Sequence, residues 1–143
     1  LLGPHPRTVI DPITPDELRA AVIDRLPDWE DFASHPDDPD WGLPRRHKAY
    51  VVETMCRVLC TLATGALPSK QQAVAWALAE LPEPWLSLVQ RSRAWRADDT
   101  VDPTVTPDVI AFVHWTASRR QQRGIEREHH ELTPDQPGAA FSA

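Results

Sequence analysis

With 143 residues, a net charge of −6 and a hydrophobic share of 41%, the chain has the size of one small globular domain that can bury its own core. The acidic balance excludes general nucleic-acid binding, which needs a basic face to displace counterions. No apolar run approaches membrane-spanning length, and the N-terminus lacks a signal-peptide pattern. The first residue is not methionine, which points to a fragment or a trimmed chain.

In chain order, residues 1–13 are proline-containing and read as extended. Thr14, Pro15 and Glu17 then spell a helix start, with a capping box and proline at the first position. Leu18, Val22 and Leu26 give this helix its apolar face, and Pro27 is expected to end it. Residues 28–44 read as a loop.

From Arg45, the residues Val51, Met55, Val58, Leu59 and Leu62 recur at helical spacing, so this is the expected central helix, stopped by Gly65. Its two cysteines, Cys56 and Cys60, suit neither a disulfide within one helix nor a complete metal site, and read as small core residues of a cytoplasmic protein. Ser69 and Gln72 form a second capping box, opening a helix that Pro82 ends. Residues 84–96 read as a fourth helix around Trp85, Leu88, Val89 and Trp95, and residues 101–105 as a connector. A fifth helix starts at Thr106 and buries Val109, Phe112, Val113 and Thr116. Beyond Ala117 the chain turns polar, its 119–127 run reading as a solvated face and its last ten residues as disordered. No stretch alternates with period two. The expected fold is all-α: a bundle of about five helices over residues 1–116, with a polar helical extension and tail over 117–143.

Three features carry chemistry. Lys70 opens a helix whose N-terminus already bears partial positive charge, a poor place for a lysine unless an anion such as a phosphate joins it. A solvated lysine tolerating weak repulsion is the structural alternative. Arg57 lies in the central helix beside the apolar stripe, where a guanidinium needs a partner. Glu53, one turn earlier, would serve structurally; a phosphate shared with Lys70 would serve functionally. Arg57 is about 12 Å along the axis from the helix end, within reach for two long side chains. Third, the 28–44 loop holds six carboxylates, interleaved with Trp29, Phe32 and Trp41. Acids beside exposed aromatic faces suit a polycationic ligand, while a solubilising loop whose tryptophans cover the bundle fits the same composition. The scattered histidines and the Asp38-Pro39-Asp40 pair do not make a metal site, and no GxSxG motif or P-loop occurs.

The run from Cys56 to Gly65, then Ser69-Lys70, Ala75-Trp76-Ala77 and Leu81-Pro82, resembles the C-terminal helical domain of the aminoglycoside 3″/9-type adenylyltransferases, which inactivate streptomycin and spectinomycin. Leu2-Gly3-Pro4, Asp11-Pro12 and the Pro-Asp-Trp at 39–41 extend the resemblance over most of residues 1–96; past Trp95 it is loose. The resemblance implies that Arg57 and Lys70 hold the phosphates of ATP supplied with magnesium. It implies that Asp40 and Trp41, and more loosely Trp29, hold an aminoglycoside-type cation. It also implies a separate N-terminal nucleotidyltransferase domain carrying the Gly-Ser turn, the magnesium carboxylates and the base.

Two places depart from the family pattern: His47 and Tyr50 stand where a carboxylate and a histidine are frequent. Both are counted with the substrate-binding candidates. No Gly-Ser turn occurs in this chain, so the chain by itself is expected to bind and not to catalyse. The alternative is a stand-alone module that captures a cationic drug or a nucleotide-like ligand. Neither nucleic acid nor membrane is an expected partner.

Overall fold

The computed structural model describes residues 12–132, with side chains through residue 120. The extended segment expected at the N-terminus lies mostly outside this range, as do the expected disordered tail and most side chains of the polar extension. Five α-helices are described: α1 (Pro15–Ala33), α2 (Arg45–Thr64), α3 (Lys70–Glu80), α4 (Trp85–Ser92) and α5 (Thr106–Leu132). Short 3-10 turns cover Pro39–Gly42, Arg93–Trp95 and Pro103–Val105, and no strand occurs among the described residues. The all-α reading holds.

Local signals place most boundaries. Thr14 accepts from the Glu17 N–H at 3.1 Å while Glu17 accepts from the Thr14 N–H at 2.8 Å, so the first capping box forms as expected. Ser69 and Gln72 form the second. Gly65 closes α2 in the left-handed region, φ 75°. A side chain there would also collide, since a Cβ would sit 2.6 Å from Pro15 Cβ. Glycine is therefore required twice, for its backbone angle and for the close approach of α1.

The expected end of α1 at Pro27 is corrected: the helix runs through Pro27 to Ala33. Proline inside a helix forfeits one backbone hydrogen bond and costs about 3 kcal/mol. The residues after it offset that cost by packing. Ala33 is buried, and Trp29 and Phe32 pack on the core. The Phe32 ring stacks on Trp41 at 4.1 Å, and Glu30 meets Arg120 of α5 at 3.2 Å. Pro27 itself faces solvent. The loop consequently shrinks to residues 34–44, and Asp28, Glu30 and Asp31 are helical.

The fourth helix is also shorter than expected. Regular α-helix ends at Ser92, and the chain tightens into the Arg93–Trp95 turn that brings the Trp95 ring inward. The 119–127 run is not wholly a solvated face: Arg120 is tied to Glu30, and the Arg119 guanidinium lies 5.0 Å from the centre of the Trp115 ring.

Helix α2 is the axle of the fold, packing against α1, α3, α4 and α5. Val51, Val52, Met55, Leu59 and both cysteines lie in the main core with Phe112 and Val113 of α5. Cys56 and Cys60 are free thiols, and burial pushes Cys56 up to about 12, which leaves it an inert core residue.

Candidate functional site

The face of α2 turned away from the α5 side of the core carries His47, Tyr50, Thr54, Arg57 and Thr61, at the three- and four-residue steps that align side chains on one side of a helix. Trp29 of α1 leans against the start of this row, its ring centre 6.3 Å from that of Tyr50; His47 and Tyr50 are 6.0 Å apart. Lys70, the first residue of α3, places its ammonium 5.4 Å from the centre of the Tyr50 ring. A ring face is a weak, adaptable partner for a cation. Tyr50 is 45% exposed, an open platform rather than a core ring.

Two adjoining cavities flank this aromatic wall. One, of about 320 Å³, is lined by Arg25, Asp28, Trp29, Phe32, Asp40 and His47. The other, of about 270 Å³, runs between α1 and α2 and is lined by residues that include Trp29, Tyr50, Thr54, Arg57 and Thr61. The first carries two carboxylates, the second none. The cleft beside Arg57 therefore has arginines as its charged lining, whereas the cavity beside Asp40 holds two carboxylates with Arg25; Lys70 lines a further cavity with Glu53, Arg93 and Arg96.

Arg57 has no ion pair among the described residues. Glu53, the structural partner that sequence offered for it, is taken: its carboxylate binds Arg96 at 2.8 Å and is almost fully buried. His47 is half-buried with its Nδ1 unpaired among the described residues. Burial, then the neighbouring Lys48 charge, lower its pKa, against a smaller upward pull from Asp40. Its imidazole is accordingly neutral at pH 7 and does not repel a cation beside Asp40.

Trp41 takes the covering position that the loop's composition also allowed, not an exposed aromatic face. It is 3% exposed, stacks on Phe32, and donates its indole N–H to the Phe32 carbonyl at 3.0 Å. It supports the site from beneath. Asp40, its neighbour on the Pro39–Gly42 turn, is exposed; Asp38 caps that turn by accepting from the Asp40 N–H at 2.9 Å. Of the candidates, then, Trp29, His47, Tyr50, Arg57 and Lys70 form one contiguous surface. Asp40 borders it and Trp41 underlies it.

Sequence reasoning missed Lys48. It is 1% exposed, and its ammonium donates to the Trp41 carbonyl and to the Leu43 carbonyl, the latter at 2.7 Å. Burial lowers its pKa, with Asp102 opposing. Lys48 thus fixes the turn that presents Asp40. The signal was available: Lys48 precedes Val52 and Met55 by four and seven residues, so it sits on the buried stripe of α2. A lysine there must find acceptors.

The residues present suit a phosphate group, because Arg57 and Lys70 are both without carboxylate partners among the described residues. They do not offer a magnesium cage: no three potential metal ligands come together among the described residues.

Comparison with known proteins bears on the same stretch. Residues 8–119 match the family described as "Aminoglycoside adenylyltransferase, C-terminal domain". Proteins named "Aminoglycoside (3'') (9) adenylyltransferase" from Klebsiella pneumoniae and Shigella flexneri are each 28% identical over 116 residues, covering 80% of this chain and 41% of theirs. One of the same name from Escherichia coli is 28% identical over 93 residues, covering 65% of this chain and 32% of its own. The chain thus spans about two fifths of the first two relatives. No solved structure matches it significantly. With the family match running from before α1 into α5, across every helix that builds the site, the chain belongs to the aminoglycoside adenylyltransferase C-terminal domain family.

Proposed function

We propose that this chain is the substrate- and nucleotide-binding helical part of an enzyme that transfers an adenylyl group from ATP to a hydroxyl of an aminoglycoside-type drug, releasing pyrophosphate. Streptomycin and spectinomycin are the first drugs to test, and the cytoplasm, where ATP is available, is the setting. The observation that carries the reading is the pairing of Arg57 and Lys70 around Tyr50. Arg57 has lost its structural partner to Arg96, and Lys70 rests on a ring face with no carboxylate partner among the described residues. Triphosphate oxygens would give both their missing counter-charge, and as negative charge builds on the departing phosphates these two cations would stabilise it. Asp40 and Asp28, beside the Trp29 ring and the neutral His47, would receive the drug's ammonium groups by ion pairing and cation–π contact.

Magnesium and the base that activates the drug hydroxyl belong, in this reading, to an upstream nucleotidyltransferase domain. Magnesium bound there would supply charge neutralisation at the phosphates. The residues of this chain bind and orient, and the chain by itself does not catalyse.

Calorimetric titration of the chain with magnesium–ATP, streptomycin and spectinomycin tests the reading. Arg57→Ala and Lys70→Ala are each expected to weaken nucleotide binding about tenfold or more, the range for losing a charge-assisted hydrogen bond. Drug affinity is expected to hold. Unchanged nucleotide affinity in both variants would overturn the phosphate assignment. Tight drug binding with no nucleotide binding would favour the capture module instead.

A further inference from the structure

We propose that Arg25 is a third phosphate-binding cation, closing on the nucleotide's polyphosphate from α1 while Arg57 holds it from α2; the inference rests on the nucleotide reading above.

Arg25 lines both cavities of the site and is the charged residue that they share. In the cavity between α1 and α2 it faces Arg57, and that cavity contains no carboxylate. The two helices run antiparallel, since Trp29 meets Tyr50 at one end and Pro15 meets Gly65 at the other. From the Trp29–Tyr50 level, Arg25 lies four residues back along α1, about 6 Å, and Arg57 seven residues on along α2, about 10 Å. The two guanidinium stems therefore rise from opposite walls within about 5 Å of one axial level.

Six arginines elsewhere in the fold are paired with carboxylates; Arg93, which lines a different cavity, has no such pair among the described residues. Arg19 binds Asp16, Arg45 binds Asp98 and Asp102, Arg46 binds Asp99, Arg91 binds Asp108, Arg96 binds Glu53, and Arg120 binds Glu30. Neither Arg25 nor Arg57 has a carboxylate partner among the described residues. Asp28, one turn from Arg25, shares the neighbouring cavity with it but makes no ion pair to it, and it is absent from the cleft that holds Arg57. Two guanidiniums aimed into one acid-free cleft repel each other unless an anion lies between them. Planar forks on opposite walls suit a ligand with several phosphate oxygens. Thr54 and Thr61 line the same walls, and Thr54 gives its hydroxyl hydrogen to the Tyr50 carbonyl at 2.8 Å, turning oxygen lone pairs outward. Hydrogen-bond donation to an anion in this cleft thus falls chiefly to the arginines.

The test uses the chain with inorganic tripolyphosphate and with magnesium–ATP as calorimetric probes, comparing Arg25→Ala, Arg25→Lys and Arg57→Ala. Arg25→Ala should weaken both probes about five- to tenfold, and Arg25→Lys should recover part of the loss because the charge remains without the fork. Arg25 is exposed and has no partner among the described residues, so the thermal midpoint should not fall; that separates a ligand contact from a structural role. Wild-type affinity of Arg25→Ala, with Arg57→Ala weakened, would overturn the inference and leave the nucleotide reading standing. Failure of the wild-type chain to bind either probe would overturn both. Orthophosphate binding as tightly as tripolyphosphate would also refute a clamp that spans several phosphates.

Discussion

At the N-terminal end of α2 each cation is held. Arg45 bridges Asp98 at 2.8 Å and Asp102 at 2.7 Å, Arg46 pairs with Asp99 at 3.2 Å, and the Lys48 ammonium is capped by two carbonyls. Even the backbone is anchored there, the Arg45 and Arg46 N–H groups donating to the Thr100 and Asp98 carbonyls. Two turns further on, Arg57 projects from the same helix into a cleft with no carboxylate, with Arg25 opposite and Lys70 perched on Tyr50. One helix thus uses the cations of its first turn to fix loops and leaves the cation of a later turn facing an open cleft. Charge alone does not separate structure from function in this chain; the presence or absence of a partner does.

The largest effect is expected where that contrast is sharpest, at Lys48. Lys48→Ala would strand two carbonyls, each costing about 1–3 kcal/mol when left unsatisfied, and would open a hole where a long side chain is now fully buried. A loss of about 3 kcal/mol or more is expected by urea denaturation. It should be accompanied by weaker binding at Asp40, because the turn that presents Asp40 loses its anchor. A stability change under about 0.5 kcal/mol, the level of an ordinary surface substitution, would place Lys48 among the dispensable cations and break the comparison.

The second test is of pH. Hydrogen bonds from Thr100 and then Arg45 hold the Asp98 carboxyl at about 2, and Thr104 and then Arg45 hold Asp102 at about 2. Both folded-state values lie below the usual carboxylate range, so protons favour the unfolded chain. The stabilisation from this pair is in force above about pH 4 and drains away as pH falls toward 2. Arg45→Ala, read by thermal melting from pH 7 to pH 2, should lower the midpoint at neutral pH and flatten its acid limb. An acid limb as steep as that of wild type would show that Arg45 contributes nothing to the shift.

The difference between the two ends of α2 also marks what sequence could and could not reveal. Caps are local chemistry, which is why Thr14–Glu17, Ser69–Gln72 and Gly65 were legible from a few letters. The apolar stripe of α2 was legible because burial on one face imposes a 3.6-residue period. Pro27 misled because its local cost is outweighed by contacts that Trp29, Phe32 and Ala33 make with residues distant in sequence. For Trp41 composition left two readings open, because its acidic neighbours say nothing about the ring of Phe32 on which it stacks. Arg57 was flagged by its place beside the apolar stripe and Lys70 by its wrong-sign helix start. Arg25 carried no such mark, because its meaning arises only when α1 is laid against α2.

The smallest expected effect is on folding at Arg57, and it is the most discriminating. If Arg57 were structural, its removal would uncover a partner or a gap. The structural partner that sequence offered, Glu53, is bound by Arg96, and the guanidinium points into a cleft that it shares with another cation. Arg57→Ala should therefore change unfolding free energy by no more than about 0.5 kcal/mol, as at a surface site without special contacts. Relief of repulsion from Arg25 could even turn the sign toward stabilisation. Differential scanning calorimetry in low and high salt reads this directly. Any stabilisation should shrink as salt screens the two charges, whereas lost packing would appear as salt-independent destabilisation. Unfolding of Arg57→Ala at room temperature would return Arg57 to the structural class that holds Arg45 and Lys48, and with it the phosphate reading would lose its main residue.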